Sequence, residues 1–451
     1  MFLIVAAAFL LATWARNRRP AFDFQVENKA PANATTNTSS GGWNQFRGAF
    51  QGHSGPSQGL PLVWSEKTNV MWKTEVPGVG WSSPVVSESR IWLTSALQDG
   101  RSLRAFAFDQ HSGKLLLEQE VLNIANASAK HAVNSHASPT PALDKERVYV
   151  AFGPHGLAAL DARSGKVLWK NTDLKFDDEN MGGGASPILT ERFVVIHCDG
   201  TDERFIVALN KSTGEVAWRT ARSNSIKQAT PYRKAFSTPV LTSLNGVEQL
   251  ISSSSYRVFG YDPGTGQELW AVETPNFCPV PTPLVQNDWI FACAGFDKAQ
   301  LCAFHKESGN APVLAWKSTR SIPLVPSPVL VGQHIYTVSD GGIASCLEAA
   351  SGRTVWNERI GGKYWASLLH SEGRIYCFAE DGTAKILSAT PAFHILATNR
   401  LDGEIMATPA IVDRALIVRT KTHLYRLEEA GQTVPKASRS DPSASDKQKQ
   451  P

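Results

Sequence analysis

The stretch Leu157-Ala-Ala-Leu-Asp161-Ala-Arg-Ser-Gly165-Lys-Val-Leu-Trp169 decides the fold. Its apolar residues before Asp161 suit a half-buried strand, whose successive side chains point to opposite faces. Asp161 is placed to fold its carboxylate onto the turn amides, and Gly165 supplies a positive φ. Trp169 ends the returning strand with a large ring to bury. One copy would be only a hairpin. Close copies recur at Phe108-Asp109…Gly113-Lys114, Leu209-Asn210…Gly214-Glu215…Trp218, Tyr261-Asp262…Gly266-Gln267…Trp270 and Leu347-Glu348…Gly352-Arg353…Trp356, with a looser one at Phe304-His305…Gly309…Trp316. Such self-similarity announces a repeat architecture.

Working outward, the hairpin is the second half of a four-part unit. Each unit opens on a Ser-Pro or Thr-Pro: Ser83-Pro84, Ser138-Pro139, Ser186-Pro187, Thr238-Pro239, Thr282-Pro283, Ser327-Pro328 and Thr408-Pro409. Proline is tolerated at a strand start because no ladder donor is needed there. An apolar strand follows, such as Arg147-Val-Tyr-Val-Ala151, and then the Asp-Gly hairpin. The units start about 40–55 residues apart, the span of a four-stranded propeller blade. An eighth unit without the proline opens at Tyr364-Trp365-Ala-Ser367. The last unit, from Ala407 to Leu427, stops one strand short, and an unattached strand of the missing kind stands at Asn69-Val-Met-Trp72-Lys73. The sequence therefore predicts an all-β, eight-bladed β-propeller of four-stranded antiparallel blades, closed by an N-terminal strand pairing with the last blade. Closure would leave no unpaired sheet edge at a seam. The propeller is expected over residues 43–429, after a polar linker at 20–42 and before a polar tail at 430–451, both read as disordered.

The bulk chemistry excludes several function classes. A net charge of +4 with scattered basic residues gives no footprint for nucleic acid. The cysteines (198, 278, 293, 302, 346, 377) form no Cys-x-x-Cys, which argues against zinc ribbons and attached c-type haem. Cys293 and Cys302 either face each other across a hairpin as a disulfide or are plain buried thiols. Residues 1–14 form an apolar run followed by Arg16, Arg18 and Arg19. It is shorter than the roughly 20 residues of a spanning helix, so 1–19 reads as a signal peptide or a membrane anchor. The expectation is an exported protein, periplasmic or anchored through residues 1–14 and facing the periplasm.

Gly55-Pro-Ser57-Gln-Gly59 spells a nucleophile elbow, but that chemistry needs a strand before the serine and a helix after it. Here the motif sits in a Gly/Ser-rich loop, so no catalytic residue is assigned to it. Function on a rigid scaffold gathers in long connections. Three stand out: Glu120 to His136, Asn171 to Gly184, and Ala221 to Phe236. They carry His131 and His136; Asp177, Asp178, Glu179 and Asn180; and Lys227, Arg233 and Lys234. The histidines with Asp199 or a second-loop acid would suit a transition metal. Their spacing does not set both rings on one face, and the reading here is no metal. The basic cluster would suit an anion or a partner's carboxylates. The partner-binding candidates are His131, His136, Asn180, Lys227, Arg233 and Lys234. Trp365, before an inner strand, is the candidate for stacking on a flat ligand, although Trp81 holds the matching place in the first unit.

The repeated Asp-x-x-Ser/Thr-Gly-Lys-x-x-Trp hairpin, with the opening Trp43-Asn-Gln-Phe-Arg47-Gly48…Trp72-Lys73-Thr-Glu…Gly80-Trp81-Ser-Ser83-Pro84, resembles the PQQ-binding-like β-propeller repeat proteins. That group includes the outer-membrane assembly factor BamB family, and the likeness runs from about Trp43 to Leu427. It implies one of two functions. One is a non-catalytic exported scaffold that binds a protein or polypeptide partner, such as an envelope assembly, through its channel-mouth loops. The alternative is a PQQ-dependent alcohol dehydrogenase-like enzyme using pyrrolo-quinoline quinone with calcium. The enzymatic branch typically carries a vicinal disulfide, and no two cysteines here are adjacent. The lipobox cysteine usual in BamB-like members is missing too, the first cysteine being Cys198. The scaffold, without a cofactor, is the expectation.

Overall fold

The Asp161 hairpin folds as its residues dictate. One carboxylate oxygen of Asp161 accepts the Ser164 N–H at 2.6 Å, the Ser164 hydroxyl at 2.7 Å and the Arg163 N–H at 3.2 Å. The Ser164 hydroxyl and amide bonds hold that carboxyl below its usual range. Gly165 follows at φ +74°, a left-handed conformation that a Cβ resists. Asp109 and Asp262 build the same turn with Ser112 and Thr265.

A computed structural model describes residues 42–55, 59–223, 232–307 and 309–430. The expected leader at 1–19, nearly all of the 20–42 linker, the tail beyond 430, Ser57 and Lys227 lie outside the described residues. Eight four-stranded antiparallel sheets form the blades. They span residues 85–123, 142–171, 188–221, 240–273, 284–318, 329–359 and 369–400, and the eighth joins 410–427 to the strand Val70–Glu75. No α-helix occurs among the described residues, and the 3-10 turns lying wholly within them are Gln98–Gly100 and Gly153–His155. The core lies between neighbouring blades. Val85, Trp92 and Leu103 of blade 1, for example, meet Val148, Val150 and Leu160 of blade 2.

The repeat motif works between blades as well as within one. The Trp169 ring lies flat on Gly214 in the turn of the next blade, where an added Cβ would come within 2.4 Å of it. Its indole N–H donates to Lys211 O in that turn at 2.9 Å. Trp72, Trp218 and Trp316 clasp the following blade through Gln110 O, Pro263 O and Ala349 O. The seam between blades 4 and 5 lacks the clasp. There Trp270 bonds Gln249 of its own blade at 2.7 Å, and nothing would approach a Cβ on Gly309. Blade 5 is the looser copy, whose turn runs on past Gly309 before its outer strand Val313–Ser318 begins.

In six of the blades the serine or threonine that opens the unit does more than start a strand. Its hydroxyl accepts the matching N–H of the preceding blade: Ser83 N–H to Thr140 Oγ1, Thr140 to Ser186, Ser186 to Thr238, Thr282 to Ser327, Ser327 to Ser367 and Ser367 to Thr408, all at 2.9–3.1 Å. This hydroxyl ring encircles the central channel. In blade 2 its member is Thr140 before Pro141, so the unit opens there and not at Ser138-Pro139. Ser138 instead bonds Asn134 and Ser135 in the preceding loop.

Closure is made by Val70–Glu75 pairing antiparallel with His423–Leu427. Just before it, residues 43–54 cross the end of the channel where the inner strands finish. Trp43 O accepts from Val86 N–H, Asn44 exchanges bonds with Leu143, Gln51 with Val285, and Gly52 and Ser54 with His370. The channel therefore has a floor.

All the cysteines are free and buried. Cys293 pairs with Leu301 and Cys302 with Ala292, one step out of register. Their side chains leave the sheet on opposite faces, Cys293 toward the core shared with blade 6 and Cys302 toward that shared with blade 4. That geometry corrects the disulfide alternative.

Candidate functional site

Strands alternate in direction across a blade, so every outer-to-inner connection emerges at the channel end opposite the floor. The loops between second and third strands join them there. The three long connections run from 124, 172 and 222. The first starts later than expected because the strand Leu115–Asn123 continues, through a bulge, beyond Glu120.

These connections lock together. His131 N–H and Asn134 Nδ2 both donate to Met181 O, at 3.4 and 2.7 Å. Asp177 accepts the Thr201 hydroxyl at 2.8 Å, and its own N–H donates to Asp202 Oδ1 at 2.7 Å. Lys234 forms an ion pair with Glu179, tying the third connection to the second. Ala235 N–H donates to Asp199 O, and Phe236 N–H to Pro279 O at the next connection. One continuous surface over blades 1 to 5 results.

The expected site residues take different parts in it. His131 is exposed, its Nδ1 accepting Val133 N–H at 3.4 Å. His136 turns away, packing its ring on Gly100 and bonding Ser128 O at 2.8 Å. Asn180 is exposed at the tip of the second connection, in a turn with φ +57°. Arg233 is half-buried, its Nε without a partner among the described residues. Lys234 is spent on Glu179. Trp365 is half-buried, its indole N–H bound to Glu380 at 2.8 Å, and Trp81 likewise binds Val133 O at 3.1 Å. Both stand two residues before a ring hydroxyl, where Phe236, Val280, Val325 and Met406 are also half-buried. These six apolar residues occupy equivalent positions, two residues before the ring position in their blades.

Asp199 cannot serve His131 and His136 as a metal partner. It is fully buried on Arg222, whose Nε donates to it at 3.0 Å. Arg222 also holds Tyr261 and Ser252. Burial opposes the ionisation of Asp199, but Arg222, His197 and Arg204 outweigh it and hold the carboxyl below its usual range. Among the described residues no group of three or more metal-ligating side chains assembles.

Sequence reasoning missed two features. The first is an aromatic cluster on this face: Phe277 meets Tyr232 at 4.7 Å, Tyr256 at 6.1 Å and Phe296 at 6.2 Å between centroids. Phe296 is 56% and Tyr232 43% exposed, far more than a packing role requires. They come from four different loops, so no local pattern announces them. The second is the hydroxyl ring, whose signal was visible as the residue before each proline.

A calcium-bound quinone does not fit the residues present. Asp177 spends one oxygen on the Glu179 N–H and the other on Thr201. Asp178 is buried, and burial pushes its carboxyl up. Asp199 is committed to Arg222, and the thiols are dispersed through separate cores.

A family model described as outer membrane protein assembly factor BamB matches residues 62–183, 180–322 and 313–392. Among curated relatives, the chain is 22% identical to an outer membrane protein assembly factor BamB from Shewanella oneidensis, over 49% of this chain and 56% of that one. It is 22% identical to a polyvinylalcohol dehydrogenase from a Pseudomonas species, over 56% of this chain and 42% of that one. The chain thus spans about half the length of these relatives. Among solved structures, BamB from Moraxella catarrhalis superposes with a TM-score of 0.59 at 13% identity, covering 81% of this chain and 99% of the other. That likeness bears on the fold alone.

Proposed function

The chain belongs to the family described as outer membrane protein assembly factor BamB, and from that premise we propose that it is an exported, non-catalytic scaffold whose loop-lined face holds a polypeptide partner. The observation that carries the reading is the locking of the three long connections into one surface, through Met181, Thr201 and the Glu179–Lys234 pair. A surface fixed in advance loses little conformational entropy on association. The exposed Tyr232 and Phe296 supply the kind of anchor that dominates protein interfaces. The polar rim of Asn180, Arg233 and His131 then sets register around them. The protein works in the periplasm, free or anchored through residues 1–14, as one member of an envelope assembly.

Photo-crosslinking residues incorporated singly at Val133, Tyr232 and Phe296, and at Leu168 on an outer strand, test this in the native host. Specific adducts at the first three positions and none at Leu168 are the expected result. Adducts only at Leu168, or none at any position, sink the reading.

A further inference from the structure

The floor of the channel carries a charge that nothing near it balances. Arg47 is 1% exposed and makes one hydrogen bond, from Nη2 to Pro328 O at 2.6 Å. Its Nε and Nη1 have no partner among the described residues. Burial draws its pKa down to about 9, so it remains charged at neutral pH, and the ionisable neighbour acting on it is the Cys293 thiol. Asp340, the acid that acts on the same thiol, gives both its oxygens to the Leu324 and Val325 amides. Arg419 repeats the situation nearer the mouth. It is equally buried, also drawn to about 9, and bonded to Ser82, Thr94 and Ser95 oxygens, all of them neutral. Two guanidinium charges thus sit in the channel wall and floor without a carboxylate. Removing a charge from water is costly unless an opposite charge meets it.

What lies above Arg47 is suited to an acceptor. Pro328, its partner, directly follows the ring residue Ser327. The six ring oxygens that accept a backbone N–H each keep their own proton to donate. Thr282 Oγ1, in the same ring, is buried without a partner among the described residues. A guanidinium below and hydroxyl donors above match the oxygens of a carboxylate or phosphate, which take directed hydrogen bonds from a planar fork.

We propose that the channel floor is a binding site for a small oxyanion, a carboxylate or phosphate group, held between Arg47 and the hydroxyl ring. The unpartnered nitrogens are closed to solvent, so the anion is enclosed as residues 43–54 dock. Arg47 stands in the opening Trp43–Gly48 motif, ahead of the first residue matched by the family model.

The test is to unfold the full chain and refold it in sodium phosphate, acetate or chloride of equal ionic strength, followed by exhaustive desalting. Protein refolded in phosphate is expected to retain one phosphate per chain by phosphorus NMR and release it on denaturation. Protein from at least one oxyanion arm should unfold at higher denaturant than protein from the chloride arm. Stabilisation by acetate without phosphate retention would assign a carboxylate. Arg47→Met is expected to abolish retention and the difference between arms. Arg47→Lys, which keeps the charge and loses the fork, should retain less and guards against a methionine variant that does not fold. Equal stability in all arms with no phosphate retained overturns the proposal, as does undiminished retention in the lysine variant.

Discussion

His53 and His370 meet through their Nδ1 atoms at 3.0 Å where the floor segment joins blade 7, and such a contact needs one ring to donate and the other to accept. The accepting ring must be neutral, and two protonated rings cannot share the contact. Burial, with His370 and Arg47 adding to it, draws His53 down to about 3, and burial draws His370 to about 4. Below the ordinary value of 6.5, the unfolded chain takes up protons that the folded floor refuses. Stability is therefore full above that value and falls as the pH drops toward 4. The carboxylate of Asp199, held below its usual range, works in the same direction at lower pH. Denaturant midpoints measured from pH 7.5 to 4.5 should decline, and the double variant His53→Asn with His370→Asn should flatten that decline. An unchanged slope in the double variant would remove the floor as its cause. At neutral pH, Asp199→Asn strands a buried Arg222 and should cost about 3–5 kcal/mol in equilibrium unfolding.

At the level of the hairpin, two glycines with nearly the same backbone separate conformation from packing. Gly214 lies at φ +74° and Gly309 at +77°. Trp169 covers the first, whereas nothing approaches the second within 4 Å. Alanine at Gly309 should cost about 1–2 kcal/mol for the left-handed backbone alone. Alanine at Gly214 pays that and displaces an indole and its bond to Lys211, so it should cost about 1–2 kcal/mol more. Chemical unfolding of the pair decides it, and equal losses would show that the clasp contributes nothing. This is also where the sequence was most legible. Asp, Gly and Trp at fixed spacing name a strand, a turn and a strand, and blade 5 was recognisably the loose copy. What spacing could not reveal is that the tryptophan serves the neighbouring blade. The hydroxyl ring was hidden for the same reason, and in blade 2 two Ser/Thr-Pro pairs two residues apart allowed the wrong one to be chosen. Contacts between units leave no trace in the spacing within one.

For the whole molecule, the blade count followed from the seven Ser/Thr-Pro units and the one at Tyr364, and the closing strand from the unfinished last unit, because a ring of strands has to be completed by something. The functional face was legible only as loop length. Tyr232, Tyr256, Phe277 and Phe296 meet through four separate loops, and Glu179 finds Lys234 across 55 residues. Arg47 was visible only as part of an opening motif. A chain beginning at residue 76 loses the floor and the strand Val70–Glu75, leaving the edge His423–Leu427 bare. Bare edges pair with other chains. Light scattering should find this truncation associated at concentrations where the full chain is monodisperse, and a monodisperse, equally stable truncation would contradict the closing role.

The floor also fixes an order in time. Residues 43–54 and Val70–Glu75 leave the ribosome before any complete blade, yet the floor's last partner, His370, and the strand His423–Leu427 are made over three hundred residues later. The strand Val70–Glu75 must wait, without its ladder partner, until the last blade exists. A prematurely terminated chain thus stays open at both its seam and its floor, and marks itself as unfinished by the edge it exposes.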